Sequence, residues 1–321
     1  MRLVCVFLLA ALLPSTLSHN NRQDPFAWLY GPRSQGYYLG SLQADNTGGD
    51  CPPECDCPPT FPVAMYCDGR GLKVMPTIPS RMKYLYLQNN AITAVPDSSL
   101  VNATNLVWLM MHYNQLTSDK IVSHNSIEKV MFIHILDFKM ISGMDNLTIL
   151  YLHDNAVTDM GTSLKGLKSL MLLDVSGNKL KKVPQALPER LHQLYLEFNS
   201  IDSLPDDFLG RVTQLQYIRM AHNELTDKGI PPNTFNVTGL VELDLSYNKL
   251  ERIPPVSTTL QHLYLQANQI KEFTLGSFCS IVDVTNFSRL QTLRLDGNEI
   301  SSQDVPTDSA LCLRLASTIE V

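Results

Sequence analysis

One pattern of leucines and asparagine recurs along this chain and limits what it can fold into more than any other feature. It reads "MKYLYLQNNAI" from Met82, "LVWLMMHYNQL" from Leu106, "LTILYLHDNAV" from Leu147 and "LMLLDVSGNKL" from Leu170. It continues as "LHQLYLEFNSI" from Leu191, "LQYIRMAHNEL" from Leu215, "LVELDLSYNKL" from Leu240, "LQHLYLQANQI" from Leu260 and "LQTLRLDGNEI" from Leu290. All nine copies fit L-x-x-L-x-L-x-x-N-x-L with conservative apolar exchanges. Apolar residues two apart share one side of an extended strand, so the L-x-L core of each copy is a short strand with leucines inward. A single copy cannot bury that leucine face. Copies must therefore stack, each covering the next.

The predicted fold is an α/β-type leucine-rich repeat solenoid, a curved horseshoe with short parallel β-strands on its concave face. Asn90, Asn114, Asn155, Asn178, Asn199, Asn223, Asn248, Asn268 and Asn298 sit where the chain leaves each strand. An amide there can donate to and accept from backbone groups that the turn would otherwise leave unpaired, which gives these asparagines a structural role. The pairs Val95-Pro96, Val183-Pro184 and Ile253-Pro254 suit extended returns, so little helix is expected on the convex face. Successive asparagines lie 20 to 30 residues apart, except for one interval of 41. That interval contains "IEKVMFIHILDFKMISG", Ile127 to Gly143. Its apolar knot is too short to span a membrane and is flanked by Glu128, Lys129, Asp137 and Lys139. It reads as a degenerate repeat at about 120–146, with Phe138 or Ile135 where asparagine belongs.

Outside the repeats, residues 1–18 have the form of a secretory signal peptide: Arg2, then "LVCVFLLAALL", then small residues. Residues 19–50, rich in Gly, Asn, Ser and Gln, read as a flexible extension. A cysteine-rich N-terminal cap is expected over 51–79 and the repeat domain over 80–321. Of seven cysteines, Cys5 leaves with the signal; Cys51, Cys55, Cys57 and Cys67 cluster near the start, and Cys279 and Cys312 lie near the end. An even number in a secreted chain favours disulfides, and the C-x3-C-x-C-x9-C spacing lacks the paired C-x2-C knuckles of a zinc site. The formal net charge of −6 argues against a nucleic-acid surface, and no later segment is apolar and long enough for membrane insertion.

Four N-x-S/T sequons, at Asn102, Asn146, Asn236 and Asn286, are candidate N-glycosylation sites. Asn102, Asn236 and Asn286 each stand four residues before the first leucine of a copy, one shared loop position where a glycan clears the core. Asn146 directly precedes its strand. At the central outward position the copies present Tyr86, Met110, Tyr151, Asp174, Tyr195, Arg219, Asp244, Tyr264 and Arg294. Tyrosines among charges of both signs are residue types enriched in protein interfaces, so this face is the candidate binding surface. His112, His153, His192, His222 and His262 are expected to be solvated residues at differing template positions, without carboxylate partners at ligand spacing. No metal or cofactor is called for. The absence of any nucleophile–base, carboxylate-pair or phosphate-loop constellation points away from an enzyme.

The cysteine cluster, the alternating repeat lengths and a long last repeat between two cysteines resemble the second class of the small leucine-rich repeat proteoglycans. "CPPECDCPP", "NATNL", "LDLSYNKL", "FCSIVDVTNFSRLQTLRLDGNEI" and "LCLRLAS" carry the resemblance over about Asp50 to Val321. It implies pairing of Cys51 with Cys57, Cys55 with Cys67, and Cys279 with Cys312. It further implies a secreted protein of the extracellular matrix that binds fibrillar collagen, regulates fibril assembly and diameter, and carries N-linked keratan sulfate. The family's collagen contact near the exit of the last full repeat uses an acid and a base two residues apart. Those positions are Glu299 and Ser301 here, so the acid is kept and the base is not. Arg294, Arg219 and Tyr264 complete the candidate collagen-binding set. The alternative is a soluble growth-factor-binding or receptor-ligand protein using the same face, since this fold hosts many partners. An exposed concave sheet also admits a homodimer.

Overall fold

The computed structural model describes residues 49–96, 98–117, 144–281 and 283–321. The signal peptide, the extension apart from Gly49 and Asp50, and the degenerate repeat apart from 144–146 lie outside the described residues.

Nine of the strands lie in the nine copies, each centred on the first apolar residue of the L-x-L core. These are β2 (Tyr84–Tyr86), β3 (Trp108–Met110), β4 (Ile149–Tyr151), β5 (Leu172–Asp174) and β6 (Gln193–Tyr195). β7 (Tyr217–Arg219), β8 (Glu242–Asp244), β9 (His262–Tyr264) and β10 (Thr292–Arg294) follow. Two more, β1 (Ala64–Tyr66) and β11 (Thr318–Glu320), flank them. All join one parallel sheet in chain order. The middle residue of each repeat strand, Leu85 through Leu293 with Ile218 in β7, is buried at 1% exposure or less. Fully burying such a side chain is worth about 2 kcal/mol, and the stacked copies make these gains contiguous.

β3 pairs directly with β4, Leu109 opposite Leu150, so the long interval does not open the sheet between them. Backbone bonds continue the ladder there, with Met111 N–H donating to Tyr151 O at 3.0 Å.

Beside the sheet runs an asparagine ladder. Asn223 shows its unit: Oδ1 accepts from Ile201 N–H of the previous copy at 3.0 Å. Its Nδ2 donates to Leu196 O of that copy at 2.9 Å and to Met220 O of its own at 3.1 Å. The same bonds recur from Asn90, which reaches Cys67 O and Leu72 N–H in the cap, to Asn298, which reaches Leu265 O and Ile270 N–H. Each amide thus satisfies turn groups of two neighbouring copies, and that explains the fixed spacing better than side-chain packing does.

The residue immediately before every ladder asparagine has positive φ, which the sequence reading did not anticipate. Asn89, Tyr113, Asp154, Phe198, His222, Tyr247 and Ala267 lie between +52° and +57°, with Gly177 and Gly297 completing the set. A left-handed non-glycine residue costs on the order of 1 kcal/mol, and the surrounding ladder over-determines it.

The convex side returns through extended chain and short 3-10 turns such as Ser163–Gly166, Asp227–Gly229 and Leu275–Ser277. The one described α-helix is the single turn α1 (Ser309–Cys312). Phe235 and Phe278, each 1% exposed, fill the core where returns are longer. Disulfides Cys51–Cys57 and Cys55–Cys67 close the N-terminal end, and Cys279–Cys312 closes the last repeat. Half-buried ends of a solenoid need such covers. Among the described residues no helix is long and apolar enough to cross a membrane.

Candidate functional site

The outward side chains of the sheet form rows about 4.8 Å apart from strand to strand. Register puts Arg219, Asp244, Tyr264 and Arg294 side by side across β7 to β10, so three of the four candidate collagen contacts share one row. Glu299 is not in it. It follows the Asn298 turn, exposed on the strand-exit rim, and its N–H donates to Ile270 O at 2.9 Å. Ser301, at the position where the family pattern has a base, is instead the cap of a 3-10 turn and bonds Asp304.

Neither arginine in the row is an unpaired charge. Arg219 Nε donates to Glu242 Oε1 at 2.7 Å, and its guanidinium lies 5.1 Å from the Tyr195 ring centroid. Burial works against its charge, but Glu242 and the nearby acidic groups outweigh it and hold the guanidinium firmly protonated. Arg294 donates to Asp296 at 2.9 and 3.1 Å and lies 2.8 Å from Glu320 of β11. Asp244, buried by its neighbours, is pushed above the usual carboxylate range although Ser246 donates to it twice. Charges in this row are therefore fixed in position, the two arginines by carboxylates and Asp244 by Ser246, which suits directional recognition more than bulk attraction.

The N-terminal part of the face is aromatic. Tyr66 stacks on Tyr86 with centroids 4.6 Å apart, and Phe61, Tyr84 and Trp108 make tilted and edge contacts. Burial raises the Tyr86 hydroxyl well above its ordinary range.

The expectation of solvated histidines is corrected here. His112 and His153 occupy the same template position in adjacent copies, and their rings stack 4.3 Å apart. His153 Nδ1 lies 3.1 Å from Asp174 Oδ2, a carboxylate partner that sequence spacing did not disclose. Burial, reinforced by His153, lowers the His112 pKa to about 3, so its ring is neutral. Burial opposes ionisation of Asp174, but the bonds from His153 and Ser176 prevail and its pKa falls. Parallel stacked rings direct their lone pairs alongside each other instead of toward one point. Among the described residues no group of three metal-ligating side chains occurs.

His222, at a positive-φ position, is sandwiched between Phe198 and Tyr247, each centroid 4.1 Å away. This rail of three rings on the strand-exit rim, with Phe198 and Tyr247 exposed and His222 half-buried between them, also went unread in the sequence. The column of residues preceding the asparagines carried its only signal.

All four sequon asparagines are exposed. Asn146 Nδ2 donates to Thr104 O at 3.3 Å, tying it to the preceding copy, whereas Asn102 and Asn236 lie in the loops between strands.

Comparison with known proteins agrees with this architecture. Residues 50–81 match the leucine rich repeat N-terminal domain and residues 239–258 the leucine rich repeat. Fibromodulin of Bos taurus is 50% identical over 302 residues, covering 85% of this chain and 80% of its own. Lumican of Gallus gallus is 40% identical, covering 84% of this chain and 88% of its own. A solved chain from an octameric complex of latrophilin 3, Unc5D and FLRT2 (LRR) superposes with a TM-score of 0.59 at 25% identity, covering 84% of this chain and 92% of that one. With half of its aligned residues shared with fibromodulin over most of both chains, the protein belongs to the fibromodulin–lumican class of small leucine-rich repeat proteoglycans, a secreted and non-enzymatic family of the extracellular matrix.

Proposed function

We propose that the protein binds fibrillar collagen laterally in the extracellular matrix and limits fibril diameter, using the C-terminal part of its concave face and the adjoining strand-exit rim. The relationship to fibromodulin, 50% identical over 302 residues, is the observation that carries this reading. Two features support the placement. Arg219, Tyr264 and Arg294 stand in one row at strand spacing, with acidic and basic groups held in fixed pairs. Glu299 stands exposed beyond the last repeat asparagine. A collagen rod offers backbone carbonyls and charged side chains along its length, and oriented polar groups recognise these better than an apolar surface does. Glycans at Asn102, Asn146, Asn236 and Asn286 would project away from the sheet and hold neighbouring fibrils apart; extension to keratan sulfate follows the family pattern.

Cosedimentation with reconstituted collagen fibrils, before and after enzymatic removal of N-glycans, tests the reading. Binding is expected in both states, with thicker fibrils when the glycans are absent. Glu299→Gln should weaken it and Arg219→Ala should weaken it further, because Arg219 also holds Tyr195 and Glu242 in place. Failure to cosediment in either state would move the function to a soluble partner such as a growth factor, or to self-association through the same face.

A further inference from the structure

The four sequons differ in how the folded chain treats their third residue, the hydroxyl that the glycosyl transferase must reach along with the asparagine. Thr104 and Thr238 are exposed beside Asn102 and Asn236, and Thr148 is half-buried. Ser288, in the Asn286 sequon, is completely buried, and its N–H donates to the carbonyl of Cys312 at 2.8 Å. Cys312 is one half of the Cys279–Cys312 disulfide, so the sequon is held against that bridge.

The rest of the sequon is engaged as well. Asn286 Nδ2, the atom to be glycosylated, donates to Asp283 Oδ2 at 2.6 Å, and its backbone N–H donates to Asp283 Oδ1 at 2.8 Å. Phe287 lies under the Arg314 guanidinium, 3.7 Å from its ring centroid, and Arg314 also donates to Val284 O at 2.9 Å. Arg314 follows Cys312 by two residues, so both clamps come from the segment that the disulfide fixes.

We propose that Asn286 can be glycosylated only before the Cys279–Cys312 disulfide forms, so that sugar transfer and terminal-repeat closure compete there and at no other sequon. This rests on the secreted-glycoprotein reading above. Transfer joins Asn286 Nδ2 to the anomeric carbon of a lipid-pyrophosphate-linked oligosaccharide, breaks that carbon's bond to the pyrophosphate, and releases one amide proton. Closure oxidises two thiols while a protein disulfide donor of the secretory pathway is reduced. Once closure wins, Ser288 is sealed and Asn286 stays bare. Once transfer wins, the exposed asparagine carries its glycan outward and the disulfide can still form. The chain would then leave the cell in two forms that differ in one glycan beside the last repeat.

Site occupancy in secretory cells decides this, measured by peptide mass spectrometry on cellular and secreted protein together so that retained chains are counted. In the wild-type chain occupancy at Asn286 should fall below that at Asn102 and Asn236. It should rise to their level in Cys279→Ser/Cys312→Ser, and also in wild type synthesised during a pulse of dithiothreitol, which needs no substitution. Occupancy at Asn102 and Asn236 serves as the internal reference and should not move. Equal occupancy at all three sites in untreated wild type, or an Asn286 level that neither treatment raises, overturns the competition. Bare Asn102 and Asn236 would instead overturn the glycoprotein reading beneath it.

Discussion

From β2 to β5 the outward residues Tyr86, Met110, Ile149, Tyr151 and Leu172 are buried, none more than 8% exposed. From β6 to β10 every strand alternates half-buried, buried, half-buried, and its outward residues include Arg219, Glu242, Asp244 and Arg294. The two parts share one backbone register, one asparagine ladder and one row of left-handed residues. What differs is what the variable positions do. In the first part most of them are apolar and buried, with Asp174 the charged exception, held by His153. In the second they remain within reach of solvent and are organised by ion pairs. Backbone repetition therefore fixes geometry along the whole solenoid, while chemistry for a polar partner is concentrated in its C-terminal part.

The largest expected effect ignores this division, and that is its value. Asn223→Ala in the charged part and Asn114→Ala in the aromatic part each remove four buried hydrogen bonds to backbone groups. Each should cost about 3 kcal/mol or more in urea unfolding, because the abandoned turn groups are left without partners. A large difference between the two would mean that the ladder is not uniform. Next in size, Met110→Ala should cost about 2–4 kcal/mol as a cavity in the aromatic part, with little dependence on salt. Arg219→Ala should cost less, about 1–2 kcal/mol, because its side chain is 41% exposed, and that loss should shrink at high salt. Equal salt dependence in both variants would erase the contrast.

A third test uses pH. His112 is neutral in the folded chain with its pKa lowered from 6.5 to about 3. As pH drops below 6.5 the unfolded chain takes up a proton that the folded chain refuses, so stability falls toward pH 3 by up to about 1.4 kcal/mol per unit. His112→Phe keeps a ring against His153 and should flatten this slope, seen as a change in urea midpoint with pH. The smallest effect is Ala267→Gly. Ala267 has a φ of +54°, and glycine there should stabilise the charged part by up to about 1 kcal/mol, measured by thermal melting.

Much of the architecture was legible because the leucine and asparagine positions are dictated by the backbone and leave no freedom. Strands β2 to β10 follow from them residue by residue. β1 and β11 did not, since "AMY" and "TIE" carry one inward apolar residue each and no asparagine after them. The positive-φ column was hidden because Tyr113, Phe198, Tyr247 and Ala267 give no hint of left-handed backbone, whereas Gly177, Gly297 and Asn89 in the same column do. The His112–His153 stack was hidden differently. The 41-residue interval made their copies look distant in the solenoid, whereas β3 and β4 are neighbours. Among the candidate contacts, Arg219, Tyr264 and Arg294 share a template column and hence a row, but Glu242 and Asp296, which pair the two arginines, come from other columns, and Glu320, in the same row, lies on β11, which the template does not include.

We propose that collagen meets the C-terminal part of the concave face and not the aromatic part. Amide hydrogen exchange of the intact protein with and without a saturating triple-helical collagen peptide tests it most directly. Slower exchange across β7 to β10 and the rim through Glu299, with β2 to β4 unchanged, is the predicted result. Slowing confined to β2 to β4, or none anywhere at saturation, would contradict it.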